Sequence, residues 1–225
     1  MRLLLLLSTV FWLSSPATAS MIVDRTILTF EAGTTPRQDV TITNPDTDNL
    51  YVEVTVLEVS NPGTDEETRT PVKDPETIGL VAAPRKLMVP PGGRRTVRLV
   101  NLNGNGDVEK VYRVNFTPVA PPAAVKGMAI RVLVGYQVLI FVAPQKVQSE
   151  LTSERSGNLL KLDNKGNVNL MLTDGQQCST PQRDSCVELT GKRLYPGNHL
   201  EMDLPGQGPV FFRVTEGETS RVREF

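Results

Sequence analysis

The sequence predicts an all-β protein made of two immunoglobulin-like β-sandwich domains. Three observations carry this reading. Residues 128 to 142 are apolar at every even position, from Met128, Ile130, Val132 and Val134 through Tyr136, Val138, Ile140 and Val142. That period of two belongs to a strand with one apolar face, because a helix would scatter these residues around its circumference. Elsewhere Val and Thr recur in short alternating runs punctuated by Gly, Pro, Asn and Asp, with little that suggests helix. Finally, about 205 residues follow the leader described next, which exceeds one sandwich of ~100 residues and suits two.

The chain opens with Arg2, runs through Leu3 to Leu7 and on to Trp12 and Leu13, and reaches Ala17-Thr18-Ala19. A basic residue, a short apolar stretch and a small-x-small site form a secretory signal peptide, so residues 1–19 are expected to be removed after Ala19. That apolar run is too short to span a bilayer, and no later segment approaches the ~20 apolar residues a membrane helix needs. Stable membrane insertion is therefore not expected. A formal net charge of −1 argues for neither nucleic acid nor an anionic membrane as partner.

In the first domain, residues 20–144, strands are expected over Met21 to Phe30, Arg37 to Thr43, Tyr51 to Glu58, Leu80 to Val89, Arg94 to Leu99, Val111 to Thr117 and Met128 to Val142. Seven strands suit an immunoglobulin-like sandwich. The stretches Asn61 to Glu67 and Asn101 to Asp107 read as connections. Pro144-Gln145-Lys146 ends the long strand and marks the boundary. The second domain, residues 145–225, then offers Leu159 to Leu162, Val168 to Thr173, Val187 to Thr190, His199 to Asp203 and Val210 to Thr215.

The last strand of the first domain is long for its task, since strands usually run to about 5–6 residues. Leu139, Phe141 and Ala143 make its later half apolar on both faces, which reads as buried core. Its earlier half keeps Arg131, Gly135 and Gln137 opposite the apolar face. Met128 to Val134 therefore offers an apolar edge to a partner; four such side chains buried at roughly 1.5–3 kcal/mol each give a gross several kcal/mol before ordering costs.

Catalytic chemistry finds little support. His199 is the single histidine and follows Pro196-Gly197-Asn198, with no serine or cysteine motif beside it. Gly92-Gly93 follows two prolines and opens no helix, so it does not cradle phosphate. Cys178 and Cys186 lack redox C-x-x-C spacing; in an oxidising compartment they are expected to form a disulfide that stabilises by roughly 2–3 kcal/mol. Two cysteines and one histidine are too few for a metal site, and neither cofactor nor metal is expected.

Taken in order, these pieces resemble the periplasmic chaperones of the chaperone–usher pilus pathway. The resemblance rests on Asp24-Arg25-Thr26, on Val89-Pro90-Pro91-Gly92-Gly93 before Arg95-x-x-Arg98-Leu99, and on the long strand ending Phe141-Val142-Ala143-Pro144. In the second domain it rests on Leu160-x-Leu162-x-Asn164-x-Gly166-Asn167-Val168-Asn169, the two cysteines and Leu194-Tyr195-Pro196-Gly197. It covers essentially the whole mature chain. It implies a boomerang of two immunoglobulin-like domains in the periplasm, whose partners are pilus subunits lacking their last strand and an outer-membrane usher. It also implies donor strand complementation, in which the chaperone lends its long strand to the incomplete partner. Met128, Ile130, Val132 and Val134 would be the donated side chains.

Classical members of that family hold the C-terminal carboxylate of the pilus protein with an arginine on the first strand and a lysine on the long strand. Here those positions fall on Ile27 and Leu139, which, with Tyr112-Arg113-Val114, resembles the archaic and alternative branches more than the classical one. A partly buried carboxylate still requires a cation, and a guanidinium can hold it by two parallel hydrogen bonds. The candidates are Arg113, then Arg25 and Arg131. Between the last two strands the proline-rich connection 118–127 corresponds to a region near the usher-facing surface of the family, which nominates Pro121 and Pro122; a plain linker is the other reading. A two-domain fibre subunit or tip adhesin is the alternative function, although its sugar-binding face would be expected to carry exposed aromatics, and the single tryptophan is Trp12. An unpaired apolar edge also suggests a self-capped homodimer when the protein is free.

Overall fold

The computed structural model describes residues 21–72, 79–119, 133–181, 183 and 185–225. Among the described residues there are strands and no helix. The first set is β1 (Ile22–Val23), β2 (Ile27–Phe30), β3 (Arg37–Thr43), β4 (Leu50–Ser60), β5 (Thr68–Pro71), β6 (Leu80–Ala83), β7 (Lys86–Val89), β8 (Arg94–Asn101), β9 (Lys110–Val119) and β10 (Tyr136–Val142). The second is β11 (Leu151–Ser156), β12 (Leu159–Asn164), β13 (Leu170–Cys178), β14 (Cys186–Leu189), β15 (Arg193–Leu194), β16 (His199–Asp203), β17 (Val210–Glu216) and β18 (Thr219–Glu224).

Each set folds into its own two-sheet sandwich. In the first, a sheet of order β1-β3-β8-β6 faces one of order β2-β10-β9-β4-β5, with β7 also on β4. Val40, Ile42, Val97 and Leu99 from the first sheet meet Val54, Val56, Val114, Phe116, Val138 and Ile140 from the second in one buried cluster. In the second sandwich, β11-β12-β16 faces β14-β13-β17-β18, with β15 on β13. Its core is Leu160, Leu162, Leu170, Leu172, Leu194, Val210, Phe212 and Val214. Alternation in sequence becomes alternation between core and exterior in both. Cys178 and Cys186 form the expected disulfide, joining β13 to β14.

Several elements differ from the sequence reading. Met21 to Phe30 is two strands, because Asp24 to Thr26 carries the chain from one sheet to the other, with Asp24 accepting from the Thr41 amide at 2.8 Å. Leu80 to Val89 divides in the same way into β6 and β7, around Pro84. The continuous strand expected from Met128 begins only at Tyr136 among the described residues; 133–135 pair with nothing, and 120–132 lie outside the described residues. Strands β5, β11, β15 and β18 were not expected.

One buried device recurs in both sandwiches. Asn44, fully buried, donates from its amide to the Asp48 carbonyl at 2.7 Å and the Val89 carbonyl at 3.0 Å, and accepts from the Asp46 N–H at 3.0 Å. Asn164 repeats this, donating to Val168 at 2.8 Å and Leu194 at 3.0 Å and accepting from Gly166 N–H at 3.0 Å. Each sits against a turn of the form x-Pro-Gly-x, Pro90 to Gly93 or Tyr195 to Asn198, closed by an i to i+3 backbone bond of 2.9 Å. The glycines, Gly92 at φ 63° and Gly197 at φ 82°, occupy the third position, where a type II turn requires positive φ. The backbone N–H of each asparagine also donates to the last residue of its turn, Gly93 or Asn198.

The two sandwiches touch along two polar seams and one apolar cluster. On one side Asn167 donates to the Asp107 carbonyl at 2.8 Å, the Glu109 N–H reaches the Asn167 carbonyl at 3.0 Å, and the Glu109 carboxylate accepts from the Asn169 N–H at 3.1 Å and its side-chain amide at 2.7 Å. On the other, Asn198 donates to the Pro62 carbonyl at 2.8 Å. Gly63 packs so close to Tyr195 there that a Cβ would stand 2.8 Å from the ring. Between the seams lie Val59, Val111, Leu139, Phe141 and Tyr195.

Two tests follow from this packing. Replacing Asn164 by Ala strands two buried carbonyls and an N–H, so urea unfolding of the variant is expected to show a loss of about 2 kcal/mol or more. Glu109 is pushed up to about 7, by burial first, against the hydrogen bonds from Asn169 and the charge of Arg193, and with Glu31 adding repulsion. Because its folded value lies above its unfolded one, its contribution is fully present in acid and is lost as pH rises through about 7. Melting temperatures of wild type are therefore expected to fall between about pH 5 and pH 8, and Glu109→Gln to flatten that part of the profile.

Candidate functional site

The edge of the larger sheet in the first sandwich is half closed. Strand β10 pairs antiparallel with β9 from Tyr136↔Phe116 to Val142↔Lys110, but pairs with β2 only over Leu139↔Ile27 to Val142↔Phe30. The Leu139 N–H reaches the Thr26 carbonyl at 2.9 Å. Odd positions of β10 thus point their backbone polar groups toward β2, and even positions toward β9. Among the described residues no strand pairs with β10 on the β2 side before Leu139, so the Gln137 main chain has no strand partner there.

The ladder stops at Tyr136 for a local reason. Continuing the register would set Val134 against Pro118, whose nitrogen faces β10 and carries no hydrogen. Gly135 lies close on the β9 backbone there, where a Cβ would stand 3.2 Å from the Phe116 carbonyl oxygen. Leu133 to Gly135 therefore leave β9, and the Val134 side chain is 47% exposed. Of the four expected donor residues only Val134 is described; Met128, Ile130 and Val132 lie outside the described residues, as do Arg131, Pro121 and Pro122.

The other face of β10 looks toward the second sandwich. Leu139 stands between Ile27 of β2 and Arg113 of β9, and Arg113 between Leu139 and Leu57 of β4. This row borders the buried cluster of Val59, Val111, Leu139, Phe141 and Tyr195, to which Leu139 itself belongs. Ile27 and Leu139 are adjacent in register, so the two positions at which the resemblance expects a basic pair do face one another, with apolar side chains in both.

Arg113 is the cation nearest that row. Its Nε is buried with no hydrogen-bond partner among the described residues. Glu67 lies within its electrostatic reach but is committed elsewhere, accepting from the Gly63 N–H at 2.8 Å and from Arg69 Nε at 2.8 Å. The Gly63 amide, then Arg69 and then Arg113, hold Glu67 below the ordinary carboxylate range. Arg69 also reaches Gln137 at 3.4 Å, and Gln137 donates to Asn115 at 2.7 Å, giving a polar strip beside the apolar cluster.

Arg25 is placed elsewhere. It is exposed, and its charge acts on Asp39 of β3, which is lowered first by its hydrogen bonds to Arg98 and also by Arg37. Arg113 and Arg25 therefore do not converge. Around Phe141 stand residues that sequence reasoning missed. Arg193 lies over the Phe141 ring, 5.1 Å from its centroid, and donates to the Asn169 side-chain oxygen. Tyr195 packs against the same ring, centroids 6.4 Å apart, and burial pushes its phenol up. The only available signal was Leu194-Tyr195-Pro196-Gly197, which marks a turn and says nothing of what the turn faces.

With this geometry the sequence can be set beside known proteins. Two Escherichia coli fimbrial proteins are similar along much of their length. The one from CS1 fimbriae is 31% identical over 187 residues, covering 77% of this chain and 78% of its own. The one from CFA/I fimbriae is 28% identical over 157 residues, 65% of each. The solved structure of the Class 5 fimbriae chaperone CfaA matches with a TM-score of 0.70 at 23% identity, covering 91% of this chain and 98% of that one. A chain from the complex of Salmonella enterica SafA pilin with the SafB chaperone matches at 0.66 and 16% identity, covering 94% and 98%. These structural likenesses concern the fold, two immunoglobulin-like domains in tandem. Residues 20–148 match the pili and flagellar-assembly chaperones, PapD N-terminal domain, and the chain belongs to that family.

Proposed function

We propose that this protein is a periplasmic, non-enzymatic chaperone that binds pilus subunits by donor strand complementation and delivers them to an outer-membrane usher. Residues 1–19 act as its signal peptide, residues 20–144 as the subunit-binding domain and residues 145–225 as the second domain. The observation that carries the reading is the half-open edge of β10, where, among the described residues, the main-chain groups of Leu133 to Gln137 have no strand partner on the β2 side. An incoming strand satisfies those groups while side chains of one parity fill its groove. By sequence parity Met128, Ile130, Val132 and Val134 continue the face that Tyr136, Val138 and Ile140 turn to their own core.

Arg113 supplies the cation for the C-terminal carboxylate of the bound pilus protein, since its unpartnered Nε lies in the row where Ile27 and Leu139 have no charge to offer. Pro121 and Pro122 belong to the connection offered to the usher, and a second copy of the chain covers the edge when no pilus protein is bound. The family membership favours this function over a fibre subunit or tip adhesin.

Co-purification from the periplasm with a candidate pilus subunit tests the reading. Wild type is expected to yield a one-to-one complex. Val132→Asp and Val134→Asp, still folded, are expected to weaken it at least about tenfold, because each loses the burial of a valine and places a charge in an apolar groove. Arg113→Gln is expected to weaken it similarly. Aspartate variants that bind as well as wild type would rule out donation by this segment.

A further inference from the structure

We propose that Arg193 is a second cationic arm of the carboxylate site, so that an incoming chain's terminus is held from both domains at once, by Arg113 on β9 and Arg193 on β15. This rests on the reading of Arg113 as the anchor and extends it to a residue outside the subunit-binding domain. The two arginines border one apolar cluster: Arg113 is the cross-strand neighbour of Leu139, and Arg193 lies over the ring of Phe141, two residues further along the same strand. Among the described residues neither forms a salt bridge. Arg113 acts on Arg193 electrostatically, and the repulsion between the two guanidinium groups is relieved when an anion enters between them.

Arg193 is also held in place for such a task. Glu109 accepts both from the Asn169 N–H and from its side-chain amide, which leaves the Asn169 oxygen turned to Arg193. The Phe141 ring beneath it and the hydrogen bond to Asn169 restrain the guanidinium from two sides. Its proton affinity is lowered by burial first, with Arg113 adding to the effect and Tyr195 and Glu109 opposing it, as expected of a partly buried cation beside another. A carboxylate has about four lone-pair positions, enough to accept two bonds from one fork and more from a second. A terminal carboxylate is the chemistry that fits, because it carries full charge at the end of an extended chain that can run on along the open edge of β10.

The test uses the mature chain and a synthetic peptide of alternating valine and serine residues, made with a free C-terminal carboxylate and as its C-terminal amide. Wild type is expected to bind the acid about tenfold more tightly than the amide. Arg113→Gln and Arg193→Gln are each expected to bring the two affinities close together without weakening the amide, and Arg193→Lys to keep part of the preference. If Arg193→Gln retains the wild-type ratio, including by weakening both peptides equally, while Arg113→Gln loses it, the second arm is overturned and the anchor reading stands. If wild type fails to prefer the acid, both are overturned.

Discussion

The strand β10 is hydrogen-bonded along one side throughout and along the other only from Leu139 onward. Everything distinctive about the molecule depends on that asymmetry. Strand β2 is short because the chain reaches it from the opposite sheet through Asp24 to Thr26, and β9 stops pairing where Pro118 offers no hydrogen. An exposed edge is normally a liability that proteins shorten, charge or cover. Here the polar strip of Gln137, Asn115 and Arg69 restrains one face, while the other turns from buried Val138 through half-buried Tyr136 to exposed Val134. The same strand serves as core at one end and as contact surface at the other.

A donated strand is useful only if its far end is registered, and the interface between the sandwiches provides the reference point. The repeated asparagine device fixes each x-Pro-Gly-x turn to its own domain, and in the second domain that turn carries Tyr195 and Asn198 to the first. Two hydrogen-bonded seams and an apolar cluster thus join the two sandwiches. Buried polar groups specify geometry when all their partners are present, as they are for Asn44 and Asn164. Among the described residues the unmatched buried side-chain atom is Arg113 Nε.

Much of this was legible in the sequence. The alternation from Val138 to Val142, the pairing of Cys178 with Cys186 and the two-sandwich architecture all follow from period, compartment and length. Three of the four missed strands share one property: β5 is exposed at every residue, and β11 and β18 are mostly charged or polar, so no apolar face announced them, while β15 has only two residues and so no alternation to read. Leu133 to Gly135 are unpaired where a continuous strand was expected, since apolar alternation records which face a residue shares but not whether a neighbouring strand is there to pair with it. Arg113 could be singled out as a charge in the middle of a strand. Arg193, Glu109 and Asn169 could not, because their chemistry arises from contacts between residues far apart in the chain, 60 positions for Glu109 and Asn169 and 24 for Asn169 and Arg193. The likeness of Asn44 to Asn164 was not legible as a spacing, since 45 positions separate Asn44 from Val89 and 30 separate Asn164 from Leu194; it needed the hydrogen bonds.

Amide hydrogen exchange along β10, measured on the free protein and on its complex with a pilus subunit, tests strand donation most directly. In the free protein the amides of Val138 and Ile140, which face β9, are expected to be protected, and those of Leu133, Gly135 and Gln137 to exchange rapidly. Complex formation is expected to slow exchange at Leu133, Gly135 and Gln137 in the same alternating pattern. A stable complex in which those three amides still exchange as fast as in the free protein would contradict the donation of this strand.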